Sequence, residues 1–179
     1  MSPLKRTLDI TAALAGLVIL TPVLIVVAIL VGVTSKGPVL FRQVRVGRQE
    51  QTFVCNKFRT MHQGTAQLGT HEIGASALTP VGKLLRALNL DELPQLWNVL
   101  VGEMSLVGPR PCLPNQVKLI AERRARDVFS VCPGITGLAQ VKRVDMSNPE
   151  LLAEIDQTYI QTRSMGMDLS LIFRTLFRI

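Results

Sequence analysis

Asp91 and Glu92 are adjacent carboxylates where a short helix should begin, and they are the first candidate for chemistry in the chain. Beside a phosphate, such a carboxylate can hold Mg²⁺ against the oxygens. It can also attack phosphorus, dividing a hard transfer into two easier steps through a covalent intermediate. Either course needs cations. Arg86 lies just upstream, and Arg110 sits in Gly108-Pro109-Arg110-Pro111, a proline-stiffened loop where its planar fork could grip phosphate oxygens. Free backbone N–H groups at the helix start favour the same anion. The plainer reading is that capping and the macrodipole favour acidic residues in any first helical turn, so the pair alone is a weak signal.

The elements that must position these groups can be read from periodicity. Residues 39–61 predict a β-hairpin: Val39-Leu40-Phe41 is extended, Gly47-Arg48-Gln49-Glu50 turns, and Thr52-Phe53-Val54-Cys55 returns. Residues 62–76 hold three glycines and no periodicity, which suits a lid or a passive surface loop; His62 and His71 at its edges have no partners at metal-binding spacing. Thr79 should cap a helix starting at Pro80, with Val81, Leu84, Leu85 and Leu88 on one face and Arg86 on the other. A second helix should run from an Asp91 cap to Gly102, with Leu93, Leu96, Trp97 and Leu100 forming a face that meets core or membrane interface. Residues 104–107 read as a strand. Residues 115–126 read as a basic amphipathic helix with Val117, Ile120 and Ala121 inward. From 168 to 179, Leu169, Ile172, Phe173 and Leu176 line one side, which fits a helix in a lipid headgroup plane or a surface helix packed on the core.

The amino terminus sets these elements beside a membrane. Residues 10–35 carry no charge, about 26 positions that as a helix would extend about 39 Å. Pro22 near the middle should break that helix, and the Thr21 hydroxyl can satisfy a freed carbonyl. Cations flank both ends: Lys5 and Arg6 before, Lys36, Arg42, Arg45 and Arg48 after. Both ends therefore favour the same side, and a re-entrant hairpin satisfies this better than a straight span. The apolar stretch is too long for a cleaved signal peptide, and no cleavage site follows it. The chain divides on this reading into a membrane anchor over 1–35 and a catalytic domain over 36–179.

Composition agrees. Of the 179 residues 47% are hydrophobic and 18% charged, with a net charge of +7, a combination suited to anionic lipid and an anionic substrate. Nucleic acid is disfavoured, because the cations are dispersed and aromatic residues, at 4%, provide no stacking platform. Cys55, Cys112 and Cys132 lack metal-ligand spacing and read as small core residues in a reducing compartment.

Four motifs in order, Lys57-Phe58-Arg59-Thr60-Met61, Leu90-Asp91-Glu92-Leu93-Pro94-Gln95, Gly108-Pro109-Arg110-Pro111 and Pro133-Gly134-Ile135-Thr136-Gly137-Leu138-Ala139-Gln140, together resemble the bacterial sugar transferases, the monotopic phosphoglycosyl transferases. The resemblance covers nearly the whole chain. It implies an α+β fold, mostly helical with a small sheet, a re-entrant helix broken at Thr21-Pro22, and interfacial helices at the cytoplasmic face of a bacterial inner membrane. It implies that Asp91 attacks the sugar-bearing phosphorus of a UDP-sugar and binds Mg²⁺, that UMP leaves, and that undecaprenyl phosphate accepts the phosphosugar. Glu92 would orient or activate the second step. Arg86, Arg110, Lys57 and Arg59 would hold phosphate, and Pro133, Gly134, Thr136, Gly137 and Gln140 would shape the nucleotide-sugar pocket. Asp156 and Tyr159 match a further family pattern, or simply pack a helix on the core. Membrane lipids are implied partners, and a homo-oligomer is left open.

The chain departs from the family pattern after Gln140. An Asn-Gly-Arg common there is replaced by Val141-Lys142-Arg143, so either Lys142 or Arg143 takes over the arginine's part or sugar selectivity differs. Cys132 stands where a basic residue is common. The rival reading is a non-catalytic membrane scaffold that binds anionic lipid, with Asp91 serving only as a helix cap.

Overall fold

A computed structural model describes residues 2–65 and 77–177, so His71 and most of the 62–76 loop lie outside the described residues. Helix α1 (Pro3–Ile19) starts at Ser2, whose hydroxyl accepts the Lys5 N–H, and stops at Leu20. Helix α2 (Thr21–Thr34) departs at 63°. The cause is local: Pro22 has no N–H to continue the ladder, and Thr21 Oγ1 donates to the Leu17 carbonyl at 2.7 Å. Among the described residues no single helix is long and apolar enough to cross a membrane, though the bent pair passes the test of length and composition together.

Polar contacts tie α1 to the rest of the chain. Arg6 donates to the carbonyls of Val99 and Leu100, Lys5 pairs with Asp168 at 2.6 Å, and buried Asp9 accepts from Ser105 Oγ and the Leu106 N–H. Ala13 and Leu17 of α1, with Leu20 at the break, then pack with Phe53, Cys55, Leu96 and Met104, while Val27 and Val31 of α2 pack with Phe58 and Leu85. The opposite faces stay apolar and open, with Val18, Ile19, Val26, Ile29 and Val33 exposed.

Strands β1 (Leu40–Val46) and β2 (Thr52–Phe58) form the expected antiparallel hairpin, Arg45 opposite Phe53 and Phe41 opposite Lys57. Helix α3 (Pro80–Ala87) begins as expected, Thr79 Oγ1 accepting the Gly82 N–H at 2.9 Å. Its apolar face is only partly internal: Leu85 is buried, whereas Leu84 and Leu88 are exposed. Helix α4 (Gln95–Val101) starts later than expected, after a separate 3₁₀ turn over Leu90–Glu92, and ends at Gly102 with φ +97°. Trp97 lies 56% exposed on its outer side.

Strand β3 (Ser105–Val107) has a partner that periodicity did not supply: β4 (Gly134–Thr136) lies parallel to it. The two touch so closely that a Cβ on Gly134 would stand 2.1 Å from the Gly108 nitrogen. Glycine at 134 is thus required by backbone packing. Between these strands runs α5 (Val117–Ala125), whose face is corrected. Leu119 and Arg123 point inward, Ile120 is half-buried, and Val117 and Ala121 are exposed. An arginine reads as an outward residue, but Arg123 meets a buried acid on α7 (Pro149–Thr162). The short α6 (Leu138–Val141) and α8 (Met165–Phe177) complete the core through Ala139, Leu152, Ile155, Tyr159 and Leu171. Leu169, Phe173, Leu176 and Phe177 of α8 stand exposed, so the side expected to be apolar faces outward.

Candidate active site

The turn that carries Asp91 and Glu92 is set by Asn89. Its left-handed φ of 55° ends α3 and redirects the chain into the Leu90–Glu92 turn; asparagine tolerates that conformation better than most side-chain-bearing residues. Asp91 caps no helix: α4 begins after Pro94 without a side-chain cap. Asp91 is thus not the α4 cap that the plainer reading assigned to it, although both carboxylates lie in the first turn of the 3₁₀ segment.

Two cations converge on one oxygen of Glu92. Lys57 Nζ donates to Oε1 at 2.7 Å from the inward face of β2, and Arg110 Nη2 donates to the same atom at 2.6 Å. Burial alone would raise the Glu92 pKa, but Arg110 and Lys57 hold it well below the ordinary carboxylate range. Asp91 is shifted the other way, first by burial and then by the Glu92 charge, against the opposing pull of Lys57, Arg86 and Arg110. Asp91 is 7% exposed, and its carboxylate accepts no hydrogen bond among the described residues. Neighbouring carboxyls pushed apart in this way suit different tasks, one a fixed anion and the other a reactive group.

Arg86 stands on α3 close enough to act on Asp91, with its Nε donating to Thr60 Oγ1 at 3.0 Å. Arg45 is a site residue that the sequence reading counted only among cations flanking the apolar run. It shares the inward face of β1 with Gln43, and both Arg110 and Glu92 act on it. Strand alternation from Phe41 through Gln43 was the signal that could have found it. Lys57, Arg86, Arg110 and Arg45 thus face two carboxylates, an excess of positive charge suited to a diphosphate.

Other expected site residues fall elsewhere. The buried Arg59 donates to the Ser35 carbonyl and hydroxyl at 2.7 Å and to the Pro38 carbonyl, tying β2 to the end of α2. Pro133, Gly134, Thr136 and Gly137 are buried in the β3–β4 pairing; the Gly134 N–H donates to the Pro109 carbonyl, and Thr136 meets Thr175 on α8. Gln140 donates to the Ile135 carbonyl. This segment backs the Arg110 loop. Lys142 and Arg143 are exposed at the end of α6, and His62 is exposed. Asp156 and Tyr159 are buried: Asp156 pairs with Arg123, and Tyr159 donates to Asp168 at 2.8 Å.

As to a metal, no group of three or more potential ligands occurs among the described residues. A Mg²⁺ ion keeps several waters and commonly takes one or two carboxylates plus substrate phosphates, so it needs no such group. Asp91, whose carboxylate accepts no hydrogen bond among the described residues, is the residue that could hold one.

The helical α+β body thus carries an apolar, bent helix pair at its amino-terminal end and a carboxylate pair inside a cluster of cations. The chain belongs to the bacterial sugar transferase family, whose model matches residues 1–179. It is 40% identical to a UDP-glucose:undecaprenyl-phosphate glucose-1-phosphate transferase of Caulobacter vibrioides, over 96% of this chain and 68% of that protein. It is 36% identical to a UDP-N-acetylgalactosamine-undecaprenyl-phosphate N-acetylgalactosaminephosphotransferase of Aeromonas hydrophila, over 97% of this chain, and 38% identical to the sugar transferase EpsL of Bacillus subtilis, over 98%. The chain spans 43% of the Aeromonas protein and 87% of the Bacillus one.

Proposed function

We propose that this chain transfers a sugar 1-phosphate from a UDP-sugar to undecaprenyl phosphate. One Asp91 oxygen attacks the sugar-bearing phosphorus; the bond from that phosphorus to the bridging oxygen breaks, and its electron pair leaves with UMP. A phosphate oxygen of the lipid then attacks the same phosphorus, the Asp91–phosphorus bond breaks, and the product is a lipid-linked diphosphosugar. Glu92 anchors Lys57 and Arg110 where they meet the diphosphate, and Arg86 offsets charge near Asp91. When Mg²⁺ is bound, Asp91 holds it and the ion neutralises phosphate charge.

The observation that carries this reading is the state of Asp91: buried, disfavoured as an anion, without a hydrogen bond among the described residues, and ringed by cations. The names of the Caulobacter and Aeromonas relatives supply the substrate classes. The exposed apolar residues of α1, α2, α8 and Trp97 support a monotopic, re-entrant seat on the cytoplasmic face of the inner membrane, where the acceptor phosphate is confined. Such a product would begin a surface polysaccharide or glycoconjugate. The test is incubation with a panel of UDP-sugars, Mg²⁺ and undecaprenyl phosphate. UMP release with at least one sugar is expected; none with any sugar would leave the scaffold reading standing.

A further inference from the structure

The loop that presents Arg110 has two prolines and so lacks two of its N–H donors, yet four successive carbonyls in it are satisfied from outside. The Pro109 carbonyl accepts from the Gly134 N–H at 2.9 Å, Arg110 from Arg123 Nη1 at 2.8 Å, Pro111 from Arg45 Nη1 at 3.0 Å, and Cys112 from the Val46 N–H at 2.9 Å. Two of these donors are guanidinium groups, and each is braced behind. Arg123, 1% exposed, is held by Asp156 through Nε and Nη2; Arg45 is held by Gln43 Oε1 through Nε at 3.1 Å and Nη2 at 2.6 Å.

The two braces differ in charge. Asp156 neutralises Arg123, whereas Gln43 is a neutral amide, and Arg45 has no ion pair among the described residues. A neutral brace keeps the fork oriented without cancelling a charge that acts on the site.

We infer that Arg45, oriented by Gln43, is a positioning residue that fixes the Arg110 backbone and thereby aims its guanidinium at the substrate diphosphate, with Arg123 and Asp156 as the second brace. The inference rests on the phosphate role proposed for Arg110. A lysine at 45 would keep the charge but cannot bond the Gln43 amide and the Pro111 carbonyl with a planar fork.

The test is a set of kinetic cycles on the full chain, scored by UMP release. Arg45→Lys is expected to lower kcat/KM for the UDP-sugar about tenfold, mainly through KM, as loss of orientation rather than of charge. Gln43→Leu, at a residue assigned no contact with substrate, should give the same change. In an Arg110→Ala background neither substitution should add more than about twofold. Full additivity there would overturn the inference, because Arg45 would then act on substrate or fold by itself. A harmless Arg110→Ala would instead remove the phosphate role of Arg110. Independently of turnover, hydrogen exchange at the Val46 and Gly134 amides, which donate to the Cys112 and Pro109 carbonyls of the loop, should quicken in Arg45→Lys; unchanged exchange would refute the brace even in a protein without activity.

Discussion

Asp91 and Asp156 are both buried aspartates facing arginine, and they differ in what their oxygens touch. Asp156 receives two bonds from Arg123, at 2.9 and 2.7 Å, with both side chains almost wholly buried. Asp91 is 7% exposed against 2% for Asp156, and its neighbouring cations donate elsewhere, Lys57 and Arg110 to Glu92 and Arg86 to Thr60. Burial raises the pKa of both carboxyls. Only at Asp156 is the cost of burial met by a direct ion pair. A buried carboxylate held by a direct ion pair holds a fold together, whereas one with no protein bond is held in place by the fold around it and stays available to a ligand.

The sharpest way to break this contrast is Asp91→Asn. UMP release should fall by about a thousandfold or more, while the melting temperature rises, because the amide removes a desolvated charge. The sign follows from linkage. A folded-state pKa above the unfolded one means that stability declines as pH rises from the ordinary aspartate value through the raised one, and the amide abolishes that decline. A lower melting temperature would show that Asp91 has a structural partner after all. Asp156→Asn should do the reverse, weakening the fold by about 3 kcal/mol in denaturant titration because Arg123 loses its counter-charge in the interior. A change under about 0.5 kcal/mol would mean that the pair is not structural.

A smaller effect concerns pH. The acid limb of kcat should lie above the ordinary aspartate range, because burial and Glu92 disfavour the ionised nucleophile. Arg86→Gln removes one opposing cation and should move that limb to still higher pH; movement to lower pH would exclude Asp91 as the group responsible. Smallest is Tyr159→Phe, which forfeits the bond to Asp168 and should cost about 1 kcal/mol with kcat changed less than about twofold. A large loss of turnover there would draw Tyr159 into the site.

What was legible in the sequence was local. The break at Pro22, the Thr79 cap and the 39–61 hairpin each depend on neighbours along the chain, and each formed where expected. The carboxylate pair and its cations Lys57, Arg86 and Arg110 also came together, although the turn that presents them did not follow the expected helix. Contacts made across the fold escaped. Arg123 is inward because Asp156, 33 residues later, awaits it, and no periodicity marks a buried arginine. Arg45 reads as a surface cation until the hairpin places it beside Gln43 and the Pro111 carbonyl. The segment from Pro133 to Gly137 was assigned to a nucleotide-sugar pocket by resemblance alone; what periodicity did not supply is its parallel pairing with β3, where Gly134 and Gly137 allow the close approach of Gly108.

The most direct test of the central claim is intact and peptide mass spectrometry of the chain after exposure to an accepted UDP-sugar and Mg²⁺ without lipid acceptor. A phosphosugar adduct on Asp91, discharged when undecaprenyl phosphate is added, is the expected result. An active enzyme that never carries the adduct, or carries it on another residue, would contradict the assignment of Asp91 as the nucleophile.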